Sequence, residues 1–235
     1  MAITFQAYAT NSGAYKMNRP MPAGSPAGII VHSTGANNPN LKRYVNAPEI
    51  CGENPYKNYF DRPDCDVCPH GVIGLDKNGE VKAAKILPWN ICCWGCGNGA
   101  KGSYNYNPAY IQIEICEDDM EHPNRTYFDK AFKLMAQLCN RLMKNYPTIK
   151  LENIVSHHEA HLRGYASGHV DCDHWLAKFG YDMDWFRELV KNNGEIPEKY
   201  TVTATKTFDD KSLAESNKVK LEKLGYNVKM TKEVK

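Results

Sequence analysis

The feature that most constrains this chain is a short apolar run ending on a histidine, Ala27-Gly-Ile-Ile-Val-His32. Such a run reads as a buried strand that delivers His32 at its C-terminal end. Two further segments extend the pattern. In residues 110–116, Ile111, Ile113 and Ile115 point one way while Gln112 and Glu114 point the other. Residues 151–156 read as another short strand, and His157 follows it directly. Residues 71–85 read as a hairpin. There Val72-Ile73 and Val81 flank Asp76-Lys-Asn-Gly79, and Asn-Gly suits a tight turn.

Helices are expected between these strands. Thr126 is expected to open one, with Asp129 three residues on as a capping box. Phe128, Ala131, Phe132, Met135, Leu138, Cys139 and Leu142 form its apolar stripe, and Pro147 lies beyond its end. Asp173 is expected to cap a short helix through Trp175, and residues 185–191 read as a last helix. With 42% hydrophobic and 24% charged residues, 235 residues can bury a sizeable core without staples. A net charge of +2 is too small to imply nucleic acid as a partner. No stretch approaches the ~18 consecutive apolar residues of a membrane span.

Residues 193–199 read as a linker by composition, Asn193-Gly-Glu-Ile-Pro197 at its heart. Beyond it the pattern changes. Residues 200–208 are strand-like, 212–224 helical and 226–230 strand-like again. This β-α-β unit is very small for independent stability. The expected division is a catalytic domain at 1–192, the linker, and a small module at 200–235. The module's unpaired sheet edges suit wall binding or homodimerisation.

Ligand-type residues gather at three places: His32, His157 with its neighbours, and His169-Val-Asp-Cys172. Catalytic zinc takes about three protein ligands and keeps a position open. A lone histidine is more often structural; an ordered set at strand and loop ends carries more weight. Ser156-His-His-Glu-Ala-His161 invites comparison with the zincin helix, His-Glu-x-x-His. Glu159, however, sits second after His157, and His161 comes three residues after His158, so the register fails both ways.

At these residues the chain resembles the type 2 N-acetylmuramoyl-L-alanine amidases, among them phage and prophage endolysins. Val31-His-Ser-Thr34, Pro88-Trp89, Ile111-Gln-Ile-Glu-Ile-Cys-Glu-Asp118, Ser156-His157 and Gly168-His-Val-Asp171 carry the likeness, from about Gly28 to Arg187. It implies an α/β fold: a central mixed β-sheet flanked by helices, shared with peptidoglycan-recognition proteins. It also implies Zn2+ held by His32, His157 and Asp171, with Glu114 as catalytic carboxylate and His169 in the place of a catalytic lysine. Cys172 stands where relatives have proline, which leaves Asp171 and Cys172 open as the third ligand; the two-residue offset to His169 favours Asp171. His70 and Trp94 become candidate substrate contacts. Peptidoglycan is the implied substrate, cut between N-acetylmuramic acid and L-alanine. Residues 1–16 lack a basic region followed by an apolar run. Synthesis in the cytoplasm and action on the wall after release are therefore expected.

Nine cysteines leave other readings open. Cys65-x-x-Cys68 and Cys93-x-x-Cys96 have zinc-knuckle or disulfide spacing, and the hairpin between them could bring them together. Four unlinked thiols are the alternative. A Cys-His pair could also serve a cell-wall endopeptidase, and a metal-free peptidoglycan-binding protein is a non-enzymatic reading. The C-terminal unit resembles half of a sporulation-related, glycan-binding repeat.

Overall fold

The computed structural model describes residues 5–195, 206–223 and 228–231. Contacts divide the chain into two compact units, Met1–Pro197 and Glu198–Lys235. The first holds six strands: β1 (Phe5–Gln6), β2 (Gly28–Ser33), β3 (Gly71–Leu75), β4 (Val81–Lys85), β5 (Tyr110–Ile115) and β6 (Ile154–Ser156). They form one sheet in the order β1-β4-β3-β5-β2-β6. Only the β3–β4 hairpin is antiparallel, so the sheet is mixed, as expected.

The hairpin turn has a local cause. Asp76 Oδ1 accepts the backbone N–H groups of Asn78 and Glu80 at 2.8 and 3.0 Å, and Gly79 takes φ +77°, a region that favours glycine. In β5 the alternation holds. Ile111, Ile113 and Ile115 pack into the main core with Ile29, Val31 and Ile73, while Gln112 and Glu114 lie on the opposite face.

The long helix α3 (Arg125–Asn145) covers the isoleucine face. All seven residues of the expected stripe are buried. Burying each large apolar side chain there contributes roughly 1.5–3 kcal/mol. Its cap differs from expectation. Asn124, not Thr126, is the N-cap and accepts the Tyr127 N–H, while Asp129 pairs with Arg125. Both Asn and Thr cap well; Asn124 wins because its backbone leaves the helix.

Five shorter α-helices complete this unit among the described residues: α1 (Gly13–Met17), α2 (Pro48–Cys51), α4 (His157–Leu162), α5 (Asp173–Lys178) and α6 (Met183–Lys191). Trp175 of α5 and Phe186 of α6 are fully buried in the same core as Phe128 and Phe132. The α5 N-cap is Cys172 rather than Asp173. Arg187 of α6 makes a two-pronged pair with Glu159 of α4 at 2.9 and 3.0 Å and also holds the Ile154 carbonyl.

In the second unit, α7 (Lys211–Lys223) matches the expected helix. Most of the first expected strand and the start of the second lie outside the described residues; 206–208 and 228–230 are not in strand.

If residues 1–197 hold their own core, a chain truncated after Pro197 should unfold at the same temperature as the full chain. Calorimetry on both proteins checks this, and a midpoint lowered by many degrees would make the second unit part of the fold.

Candidate metal centre

The site follows from strand register. Parallel β2 and β5 pair His32 with Glu114 and Ile30 with Gln112, and β2 pairs with β6 through Val31 and Ser156. Glu114, His32 and His157 therefore line up across the C-terminal ends of three adjacent parallel strands, where open α/β sheets bind ligands. His157 is also the first residue of α4. Ser156 caps that helix, accepting from Glu159 N at 3.0 Å while Glu159 returns a bond to the Ser156 N–H. The Asp171 carbonyl accepts the free N–H groups of His157 and His158 at 2.9 and 3.3 Å, which docks the 163–172 loop against the helix start.

The Asp171 carboxylate thereby meets both histidines. His32 Nδ1 lies 3.0 Å from Asp171 Oδ2, His157 Nδ1 lies 3.4 Å from Oδ1, and the two Nδ1 atoms are 3.1 Å apart. Among the described residues these three form the one group of His, Cys, Asp or Glu side chains able to hold a metal ion. The donor set suits zinc: two imidazoles and a carboxylate converge, all largely buried. Beside them Glu114 is buried with Oε2 unpartnered. Burial, with the charges of Asp171 and Glu117, pushes its carboxyl well above the ordinary value. Burial also acts to raise Asp171, but hydrogen bonds from His157 and His32 outweigh it and hold that carboxyl far below the usual range.

His169 stands at the exposed side. Its ring stacks on His157 with centroids 4.7 Å apart, and its Nδ1 is 4.0 Å from Asp171 Oδ1. Cys172 points away into the main core, fully buried, and takes no part. His161, the second histidine of the rejected zincin spacing, faces the Ala166 carbonyl, and Glu159 is occupied by Arg187.

Other expected residues have different places. His70 is fully buried; Nε2 donates to the Ile91 carbonyl at 2.8 Å and Nδ1 accepts the Gln112 N–H at 3.0 Å. Desolvation drives its pKa down to about 4. It is a neutral structural residue with no nitrogen free for a substrate. Trp94 packs its indole on Gly13, where an added Cβ would lie 2.4 Å from the ring.

Cys65, Cys68, Cys93 and Cys96 form no disulfide, and among the described residues they are in no metal-type group. All nine thiols are free. Cys65 bonds the Val67 carbonyl, Cys68 and Cys93 sit in one apolar cluster, and Cys96 sits in another with Ile30 and Tyr110. The pairing of Cys68 with Trp94 brings the segments together, and no disulfide joins them. A cysteine nucleophile needs a lowered thiol pKa; burial instead pushes Cys68 up to about 12 and Cys93, Cys116 and Cys172 well above their ordinary range.

Sequence reasoning missed the hydrogen-bond partners of the histidines. Gln112 Oε1 lies 3.0 Å from His32 Nε2, and Ser167 Oγ lies 3.3 Å from His157 Nε2. The alternation of β5 puts Gln112 on the Glu114 face, which was a visible signal.

The family model for N-acetylmuramoyl-L-alanine amidase matches residues 22–174. Among solved structures, the chain is similar to the Staphylococcus aureus hydrolase AmiA in complex with its ligand, at 19% identity and TM-score 0.53, over 83% of this chain and 84% of that one. It is similar to the catalytic domain of XlyA at 24% identity and TM-score 0.52, over 80% and 99%. It is similar to PlyL at 23% identity and TM-score 0.53, over 81% and 97%. These likenesses show the fold. No curated protein matched the chain.

The raised Glu114 pKa has a stability consequence. Above the ordinary carboxylate value the unfolded chain has lost this proton while the folded chain still holds it, so folding stability falls as pH rises towards the folded pKa. In metal-free protein, Glu114→Gln should unfold like wild type near pH 4. Its advantage should then grow by up to about 1.4 kcal/mol per pH unit. Denaturant titrations across pH 4–8 measure this, and a constant difference would refute it.

Proposed function

This chain belongs to the N-acetylmuramoyl-L-alanine amidase family, type 2, and from that premise we propose a zinc-dependent cut between N-acetylmuramic acid and the first L-alanine of peptidoglycan. The observation that carries the zinc reading is the convergence of His32 Nδ1, His157 Nδ1 and the Asp171 carboxylate. When bound, zinc supplies Lewis acidity to the scissile carbonyl and lowers the pKa of water towards ~7.

The chain's own residues do the rest. Glu114, on the strand next to His32, takes the proton of the attacking water. Burial raises this carboxyl and so makes its carboxylate a stronger base, which is what proton abstraction needs. His169, exposed on the far side of His157, hands a proton to the departing amine of L-alanine. Asp171 holds the two histidines facing inward. The buried walls of β2, β5 and β6 keep bulk water from Glu114. We further propose that the chain works as a phage or prophage endolysin or as an autolysin. Its 200–235 module would then bind wall glycan or pair with a second copy. No helix among the described residues is long and apolar enough to cross a membrane.

Mass analysis of digested peptidoglycan should reveal new L-alanine N-termini; new reducing ends or internal peptide cuts would redirect the assignment. Purified protein should carry one zinc, and His32→Ala should carry far less. Equal zinc in both proteins would sink the ligand set. Glu114→Gln should keep its zinc and lose on the order of 10²-fold or more in turnover.

A separate expectation concerns His169→Ala. It should retain zinc and lose kcat more than it weakens substrate binding, because proton donation matters only as charge develops. Steady-state kinetics with zinc analysis decides; loss of zinc would make His169 a ligand instead.

A further inference from the structure

An imidazole binds a metal through a nitrogen lone pair, so its other nitrogen carries the proton. Backbone N–H groups fix where that proton sits in His32. Asn105 Oδ1 accepts the N–H of Gly95 at 3.0 Å and of Cys96 at 3.2 Å. Backbone N–H can only donate, so this atom of Asn105 is the oxygen. Gln112 approaches the same oxygen at 2.8 Å and Cys96 Sγ at 3.4 Å with its NH2 group. Its carbonyl oxygen therefore faces His32 Nε2, at 3.0 Å. A carbonyl can only accept, so His32 keeps a proton on Nε2, and Nδ1, the atom that hydrogen-bonds Asp171 without a metal, is the nitrogen a metal would take.

His157 is fixed from the other side. The Ser167 hydroxyl donates its one hydrogen to the Cys96 carbonyl at 3.1 Å. Its oxygen is then free only to accept, and His157 Nε2 lies 3.3 Å away. With the hydroxyl hydrogen on that carbonyl, His157 keeps a proton on Nε2, and its inward Nδ1 is the nitrogen a metal would take.

Both chains of bonds end on one residue. The Cys96 N–H holds Asn105 and the Cys96 carbonyl holds Ser167. The glycines on either side let the loop come this close. A Cβ on residue 95 would lie 2.3 Å from Gln112 Oε1, and one on residue 97 would lie 2.8 Å from Ser167 Oγ. Gln112 is fully buried and has no alternative partner in water.

Taking His32 and His157 as zinc ligands, as proposed above, we propose that the Gly95-Cys96-Gly97 loop presets both histidines to bind through Nδ1. It acts on His32 through Asn105 and Gln112, and on His157 through Ser167. These are positioning residues; they touch neither metal nor substrate.

The test uses the full chain, with zinc competed against a chromophoric chelator. Gln112→Leu and Ser167→Ala should each weaken zinc binding by about 10–100-fold. Metal-free Ser167→Ala, altered at a partly exposed position, should unfold at the wild-type temperature. If Gln112→Leu does not fold, Ser167→Ala carries the test alone. In zinc-loaded wild type, long-range 1H–15N spectra should place a proton on Nε2 of both histidines. Wild-type zinc affinity in the variants, or protons on Nδ1, would overturn the relay while leaving the zinc reading intact. A wild-type chain that takes up no zinc would remove that reading, and the relay with it.

Discussion

Everything at the site depends on the parallel register of β5, β2 and β6. His32 pairs with Glu114, and Ser156 with Val31, so three chemically active side chains arrive at one edge without any loop having to carry them. Side chains alternate along a strand, so a slip of one residue would turn His32 and Glu114 under α3 and the isoleucines into the site. Burying two ionisable groups among Ile111, Ile113 and Phe128 would cost several kcal/mol. The apolar face beneath α3 therefore enforces the geometry of the polar face above it.

The fourth side chain needs a different device, because Asp171 comes from a loop. Its backbone carbonyl satisfies N–H groups that the start of α4 leaves without helical partners. The helix is itself tied down by the Ser156–Glu159 box and by Arg187 reaching across from α6. A helix terminus thus holds a loop in place, and the loop aims a carboxylate at two strand-borne histidines. The core that anchors α6, with Phe186 against Phe132, is in this way connected to the site through one arginine.

What could be read from the residues was local. The alternation in β5, the strand ending at His32 and the stripe of α3 each depend on periodicity over a few positions, and each is present in the fold. His70 shows where such reading stops. Its partners Ile91 and Gln112 lie 21 and 42 residues away, and nothing near it in sequence announces a neutral, doubly satisfied ring. The cysteine spacing reaches as far as the meeting of the two segments, which the Cys68–Trp94 bridge brings about, while the thiols themselves stay free. The capping box of α4 was different. Ser156 and Glu159 have the spacing of a helix start, a local signal that the two histidines between them share.

The two carboxylates of the site are driven in opposite directions by neighbours rather than by burial alone, since both are buried. Asp171 has two imidazoles within hydrogen-bonding range, and their attraction outweighs its desolvation. Glu114 has no such partner; the charges of Asp171 and Glu117 repel it, and one of its oxygens is left bare. Glu117 is itself engaged by the Ser33 hydroxyl and by His174 at 3.0 Å, so it stays where it is and keeps that repulsion on Glu114. An ionised carboxylate between two imidazoles suits a cation. A proton-hungry carboxyl one strand away suits the transfer of a proton. The division of labour proposed for this pair thus follows from which of them the fold has given imidazole neighbours.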